Sequence, residues 1–314
     1  MIGELAVFYL FLGGTGAGVF AVCALADLTF VRRAFGPAGH AQTPSVRPDV
    51  RTIDYGFVVG LILLAVGIVC LIIDLGRADR VLALLLHPTF SVMSVGAYVL
   101  LLLLAAGAFL TLTALLYFPE LSRSLVSAVE IATVVLGVAA MAYTGILLAT
   151  TGGVALWWSP FVPLLFSLSS TSAGIAVVLV VGAFAEDTLR LSVLSRHLVK
   201  IDAIIIVLEV LCAAAFIWES TRDANPGTAA GLAILLHGEA ALAWWLGFGV
   251  VGLAVPLIAE ALHVRLGMPS RRTLAFAAVL VLVGAFCLRW SVVDAGVLRE
   301  IVLEDPGVAY PFWN

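Results

Sequence analysis

Residues Tyr55–Arg80 read YGFVVGLILLAVGIVCLIIDLGRADR. Nothing charged interrupts the run from Tyr55 to Ile73, and then Asp74, Arg77, Asp79 and Arg80 arrive together. About 20 consecutive apolar residues are what an α-helix needs to cross the hydrocarbon core of a bilayer. The run therefore predicts a membrane helix, and the charges mark the lip at which it leaves the lipid. Asp74 and Arg77 are one helical turn apart, close enough to pair. A carboxylate at such a lip is costly, so it has a partner or a task.

The rest of the sequence repeats the pattern. Of its 314 residues, 63% are hydrophobic and 11% charged, against about 45–50% and about 25% in soluble globular domains. Further apolar runs cover Leu5–Val31, Ser91–Tyr117, Ser127–Leu148, Phe161–Ala185, Ile201–Trp218, Leu232–Ile258 and Thr273–Val293. The fold class predicted is an all-α integral membrane protein of eight transmembrane helices. An even number of crossings puts both termini on one side. The net charge of −4 comes without a basic tract, which gives no reason to expect a nucleic-acid partner. The first run lacks a basic n-region, carries Asp27 and is followed by Arg32. It reads as a retained helix rather than a cleavable signal peptide.

Arginine and lysine orient the bundle, because cytoplasmic loops carry their excess. Of 16 such residues, eleven fall in the loops joining runs 1–2, 3–4, 5–6 and 7–8. Arg77, Arg80, Arg222 and Arg299 lie on the opposite side, and Arg289 sits inside the eighth run. The N- and C-termini and Asp74 are thus expected on the outer face, together with Glu4, Asp79, Glu219, Asp223, Asp294, Glu300, Glu304 and Asp305. Trp157, Trp158 and the terminal Phe312-Trp313 are expected as interfacial anchors there. The connector Arg32–Asp54, with Pro37, Pro44 and Pro48, reads as irregular. Internally, Gly13–Val19 echoes Ser169–Ile175, Asp54 echoes Asp202, and Asp74-x-x-Arg77 echoes Glu219-x-x-Arg222. These echoes predict two four-helix bundles, residues 1–155 and 156–314, related by a parallel repeat. Small residues in runs 1 and 5 would let neighbouring helices approach closely.

Cys23, Cys70, Cys212 and Cys287 each stand alone in an apolar run, without a C-x-x-C. They read as packing residues, so the protein is expected to hold no iron–sulfur cluster and no metal. A haem in a helix bundle takes axial histidines at membrane depth. Only His237 of the five histidines approaches a helix, near its outer end and without a counterpart, so no haem is expected.

The outer cluster fits a quinone. A quinone head group has two carbonyl oxygens about 5–6 Å apart. It needs a donor for each, an apolar slot for its tail, and a proton acceptor when the quinol is oxidised. Tyr143, with Thr144 and Gly145 beside it, lies about two turns below the outer end of the fourth run and can donate. Asp74 can take a proton, and Arg77 can hold it ionised and oriented. Glu4 and Tyr9 lie at the same depth. The competing reading is a structural end-cap with a belt tyrosine. Deeper acids, Asp27, Glu130, Asp202, Glu209 and Glu239, are candidates for a proton path. Asp202 and Glu209, seven apart, share a helix face. The alternative is pairing with nearby arginine or backbone; for Asp27, Glu130 and Asp202, near the cytoplasmic ends, it is also simple access to water.

Taken together these stretches resemble the NrfD/PsrC family, the integral membrane subunits of polysulfide-reductase-like molybdenum oxidoreductases. The resemblance rests on Tyr9–Gly14 with Ala17-Gly18; on Asp74-Leu75-Gly76-Arg77 followed by Pro88 and Ser91–Gly96; and on Tyr143-Thr144-Gly145 with Trp158, Pro163 and Phe166. It continues in Leu282-Val283-Gly284, Leu288-Arg289 and Ala295-Gly296. It implies a quinone (menaquinone or ubiquinone) bound in the first bundle near the outer face. It also implies an iron–sulfur partner of the four-cluster ferredoxin type and a molybdopterin catalytic subunit on that face. Tyr143 carries over as a quinone ligand, and Asp74 and Arg77 as the family's Asp-Leu-Gly-Arg residues. Helix 1 departs: that branch has Asn and His where Ala6 and Tyr9 stand, and Tyr9 or Glu4 would substitute.

The expectation is a quinone-binding anchor that passes electrons between the quinone pool and an iron–sulfur subunit in a prokaryotic inner membrane. Asp74 and Tyr143 would carry the chemistry, and the protein would not be catalytic alone. The rivals are a secondary transporter or proton-translocating bundle, to which acids and repeats are suited, and an inert anchor.

Overall fold

A computed structural model describes residues 4–31, 51–74, 76, 91–116, 121–150, 153–184, 189–266 and 271–303. Arg77, Asp79, Arg80, Trp313 and the tail beyond Leu303 lie outside them, as do the side chains of Glu4, Arg299 and Glu300. Helix α1 (Glu4–Ala26) runs into one wider π-wound turn, Asp27–Val31. Then follow α2 (Arg51–Asp74), α3 (Val92–Leu115), α4 (Arg123–Thr150), α5 (Phe161–Phe184) and α6 (Leu189–Arg222). Helix α7 (Pro226–His237) is short. A π-wound segment, Ala243–Ala254, continues into α8 (Val255–Leu266), and α9 (Arg271–Leu303) follows.

Among the described residues, eight helices are long and apolar enough to cross a membrane, as the apolar runs predicted. In hydrocarbon every backbone polar group must be satisfied within the segment, and helices do this. The exception to the expected bounds is the seventh span. Hydropathy alone runs from Leu232 to Ile258, but the structure breaks this run and starts the span at Ala243. Asn225 caps α7 by accepting from the Gly227 amide, and Pro226 occupies its first turn, where a missing N–H costs nothing. Gly238 ends it, its N–H returning to the Ile234 carbonyl.

Helices α1 and α5 are the axis of the molecule. Helix α1 packs against α2, α4, α5 and α9, and α5 against α1, α4, α6 and α9. In lipid there is little hydrophobic drive between helices, so close packing of small residues does the joining. A Cβ on Gly18 or Gly174 would overlap the other helix's backbone, and one on Gly67 would stand 2.8 Å from the Gly13 nitrogen. Gly252 and Gly284 form the same kind of contact between the π-wound segment and α9. Trp157 departs from expectation. It is buried, its indole N–H donating to the Val292 carbonyl at 2.9 Å, and Gly296 leaves room for its ring. Trp158, its neighbour, is exposed as an anchor should be.

Candidate functional site

Two phenols meet between α1 and α4. Tyr9 is 1% exposed and Tyr143 7%, and they face one another. The Tyr9 hydroxyl makes no hydrogen bond of good geometry, although it lies within hydrogen-bond reach of the Tyr143 hydroxyl. Such a buried donor costs free energy until something accepts from it. Gly96 of α3 lies flat on Tyr143, and any Cβ there would overlap its ring. Gly13, one turn along α1, lies beside the Tyr9 ring, where a Cβ would stand in ordinary contact at 3.4 Å.

The other expected members are placed differently. Thr144 is buried, and its hydroxyl donates to the Met141 carbonyl of its own helix at 2.7 Å, so it lines the site without a free donor. Asp74 is exposed as the last residue of α2. No described contact joins it to the phenols, and its pairing with Arg77 falls outside the described residues. Gly76 follows α2 in the left-handed region at φ +66°, its N–H bonded to the Ile73 carbonyl. That conformation is why the Asp-x-Gly spacing stops a helix here.

A second polar group lies deeper, and its assembly was not legible from spacing. Arg289 of α9 is fully buried, and each of its nitrogens donates. Nε bonds the Leu10 carbonyl of α1 at 3.1 Å. Nη1 bonds the Ala285 carbonyl at 2.7 Å and the Ser169 hydroxyl at 3.3 Å. Nη2 bonds the Ser170 hydroxyl at 2.7 Å and the Phe166 carbonyl at 3.4 Å. The Phe166 ring lies 5.3 Å from the guanidinium carbon, within cation–π range. Glu209 of α6 sits within electrostatic reach of Arg289 and against Ser169. Nearer the start of α6, on the same face, Asp202 meets Glu260 of α8 and Ser172 of α5.

The remaining acids do not join this group. Asp27 is half-buried near Cys23 and Asp54, and Glu130 is buried on α4. Glu239 is not deep: it is exposed in the turn after α7, near Asp294. Its misplacement follows from the broken seventh span. Residue type alone is a usable signal for Arg289 and Glu260, because an ionisable residue within an apolar run usually faces a bundle interior. Among the described residues no group of three or more His, Cys, Asp or Glu could hold a metal ion, and the four cysteines form no disulfide.

The comparison with known families decides what kind of protein carries these features. Residues 2–300 match the family described as polysulphide reductase, NrfD. The protein belongs to the NrfD family. Among its curated relatives, the C subunit of polysulfide reductase from Wolinella succinogenes is 31% identical over 78% of this sequence and 81% of that one. NrfD of Escherichia coli is 29% identical over 92% and 93%. An NrfD homologue of Haemophilus influenzae is 29% identical over 57% and 55%, so about half of that relative's length is spanned. With its eight spans, this NrfD-family member is a multi-pass protein of a prokaryotic inner membrane.

Proposed function

We propose that the protein is the quinone-reactive membrane subunit of a multi-subunit oxidoreductase. It exchanges electrons between the membrane quinone pool and an iron–sulfur subunit of the four-cluster ferredoxin type, itself wired to a molybdopterin catalytic subunit. The observation that carries this reading is the Tyr9–Tyr143 pair. A buried hydroxyl with no hydrogen bond of good geometry, within reach of a second phenol among apolar helices, suits a head group with carbonyl oxygens to be hydrogen-bonded.

When bound, a quinone supplies a lipid-soluble carrier of two electrons and two protons. The protein's own residues do the rest. Tyr143 and Tyr9 hold the head by their hydroxyls, and Gly96 lets the Tyr143 ring stand flush with α3. Thr144 walls the slot. Asp74 exchanges the proton with outer water; Arg77 and Glu4 hold and supplement it at the lip. The partner subunits dock on the outer face, where the acidic loops and the termini gather. Residues 1–155 and 156–314 form the two halves of a parallel repeat, a reading supported by the matching way in which α1 packs on α2 and α4, and α5 on α6 and α9. A second reading, a proton path, is supported by the contiguity of Arg289, Glu209 and Asp202.

The test is turnover of a quinol analogue by the membrane-purified complex. Tyr143→Phe and Tyr9→Phe should each lower it about tenfold or more, since a hydrogen bond worth about 1.5 kcal/mol is removed. A dye-linked assay of the catalytic subunit should stay intact. Equal rates in both variants would move the pocket elsewhere. Asp74→Asn should cut quinone-linked turnover while leaving the complex assembled; unchanged turnover would remove Asp74 from the mechanism.

A further inference from the structure

The sharpest anomaly in the molecule lies away from the phenols. Asp202 is fully buried, Glu260 is 2% exposed and Ser172 is 1% exposed. They come from three helices, α6, α8 and α5, and converge. Both Asp202 oxygens, one Glu260 oxygen and the Ser172 hydroxyl make no hydrogen bond of good geometry, although Ser172 and Glu260 lie within hydrogen-bond reach of Asp202. The site therefore has acceptors in excess: four carboxyl oxygens face one hydroxyl donor. Among the described residues, the charged groups that bear on it are Glu209, on the Asp202 helix, and Arg289 beyond it, whose nitrogens already donate to carbonyls and hydroxyls of α1, α5 and α9.

Two ionised carboxylates in contact, out of water, repel strongly, and one of them takes up a proton instead. One proton placed between Asp202 and Glu260 converts two acceptors into a donor–acceptor pair, and Ser172 can then give its own hydrogen to the oxygen that remains. A metal ion would need more oxygens than this, since hard cations take about six to eight. We propose that Asp202 and Glu260 form a carboxyl–carboxylate pair holding one exchangeable proton, with Ser172 as its third member. The pair is a proton-storage site enclosed by α5, α6 and α8. It stands independently of the quinone reading, because no group of the phenol site takes part in it.

The experiment is infrared difference spectroscopy on the purified complex at neutral pH, in H2O and D2O. Wild type should show one exchangeable carboxylic-acid carbonyl band that the double variant Asp202→Asn/Glu260→Gln lacks. Each single variant, and Ser172→Ala, should shift this band in frequency. Replacing sodium by potassium should leave it unchanged. A double variant that keeps the band overturns the proposal, and so does a band that sodium abolishes, which would make the pair a metal-ion site. Should the double variant not assemble, a band unmoved by both Ser172→Ala and Glu260→Gln overturns it equally.

Discussion

Arg289 shows how much a single side chain decides in an apolar interior. Its donors are all spent on fixed acceptors from three helices, the condition under which a buried charge is tolerable. Arg289→Leu removes these bonds and leaves Glu209 facing no cation, so it should destabilise the fold by about 3–5 kcal/mol. Adding Glu209→Gln should recover part of that loss; thermal unfolding of the purified protein measures both. Gly96→Ala belongs to the same scale. Its methyl group cannot coexist with the present Tyr143 ring, and overpacking of this kind costs about 1–3 kcal/mol. Quinol turnover should fall with it. At this scale the sequence motifs marked positions rather than roles: Tyr143 is buried against Gly96, Asp74 ends α2, and Gly76 follows it in the left-handed region. The partnership of Asp202 with Glu260 was not, because the two are on different helices and only packing brings them together.

At the scale of elements, the eight spans could be read because the bilayer imposes their length and composition. The break before the seventh span could not be read from hydropathy, since Leu232–Leu236 are as apolar as the span itself. The readable signal was Asn225-Pro226 and Gly238, a cap, a starter and a stop. Asp223, in the turn leading to that cap, accepts from the Thr228 hydroxyl at 2.7 Å and the Asn225 amide at 3.1 Å. The Thr228 bond first, then the amide, holds its carboxyl below the ordinary carboxylate value. Its contribution to stability is thus present above the unfolded value of about 3.9 and is lost as pH falls through the lower folded value. Thr228→Val should raise the titration of Asp223, observable by carboxyl NMR of the labelled protein.

At the scale of the whole molecule, hydropathy showed which segments enter a membrane but not which helices would lie at the centre. The small residues of runs 1 and 5 were a true signal, since these helices cross at Gly18 and Gly174. Gly174→Val should separate them and abolish protease-resistant protein in membranes. The first span is also the most enclosed: 72% of its apolar window is buried, at a mean hydropathy of 1.9, whereas the second is 28% buried at 3.1. During synthesis the first helix leaves the ribosome before α4, α5 and α9 exist. The innermost element must then wait in lipid, with Tyr9 and its glycines unmated, until the last span is made. A helix inserted before its partners is thus one whose packing is complete only after α9 has entered the membrane.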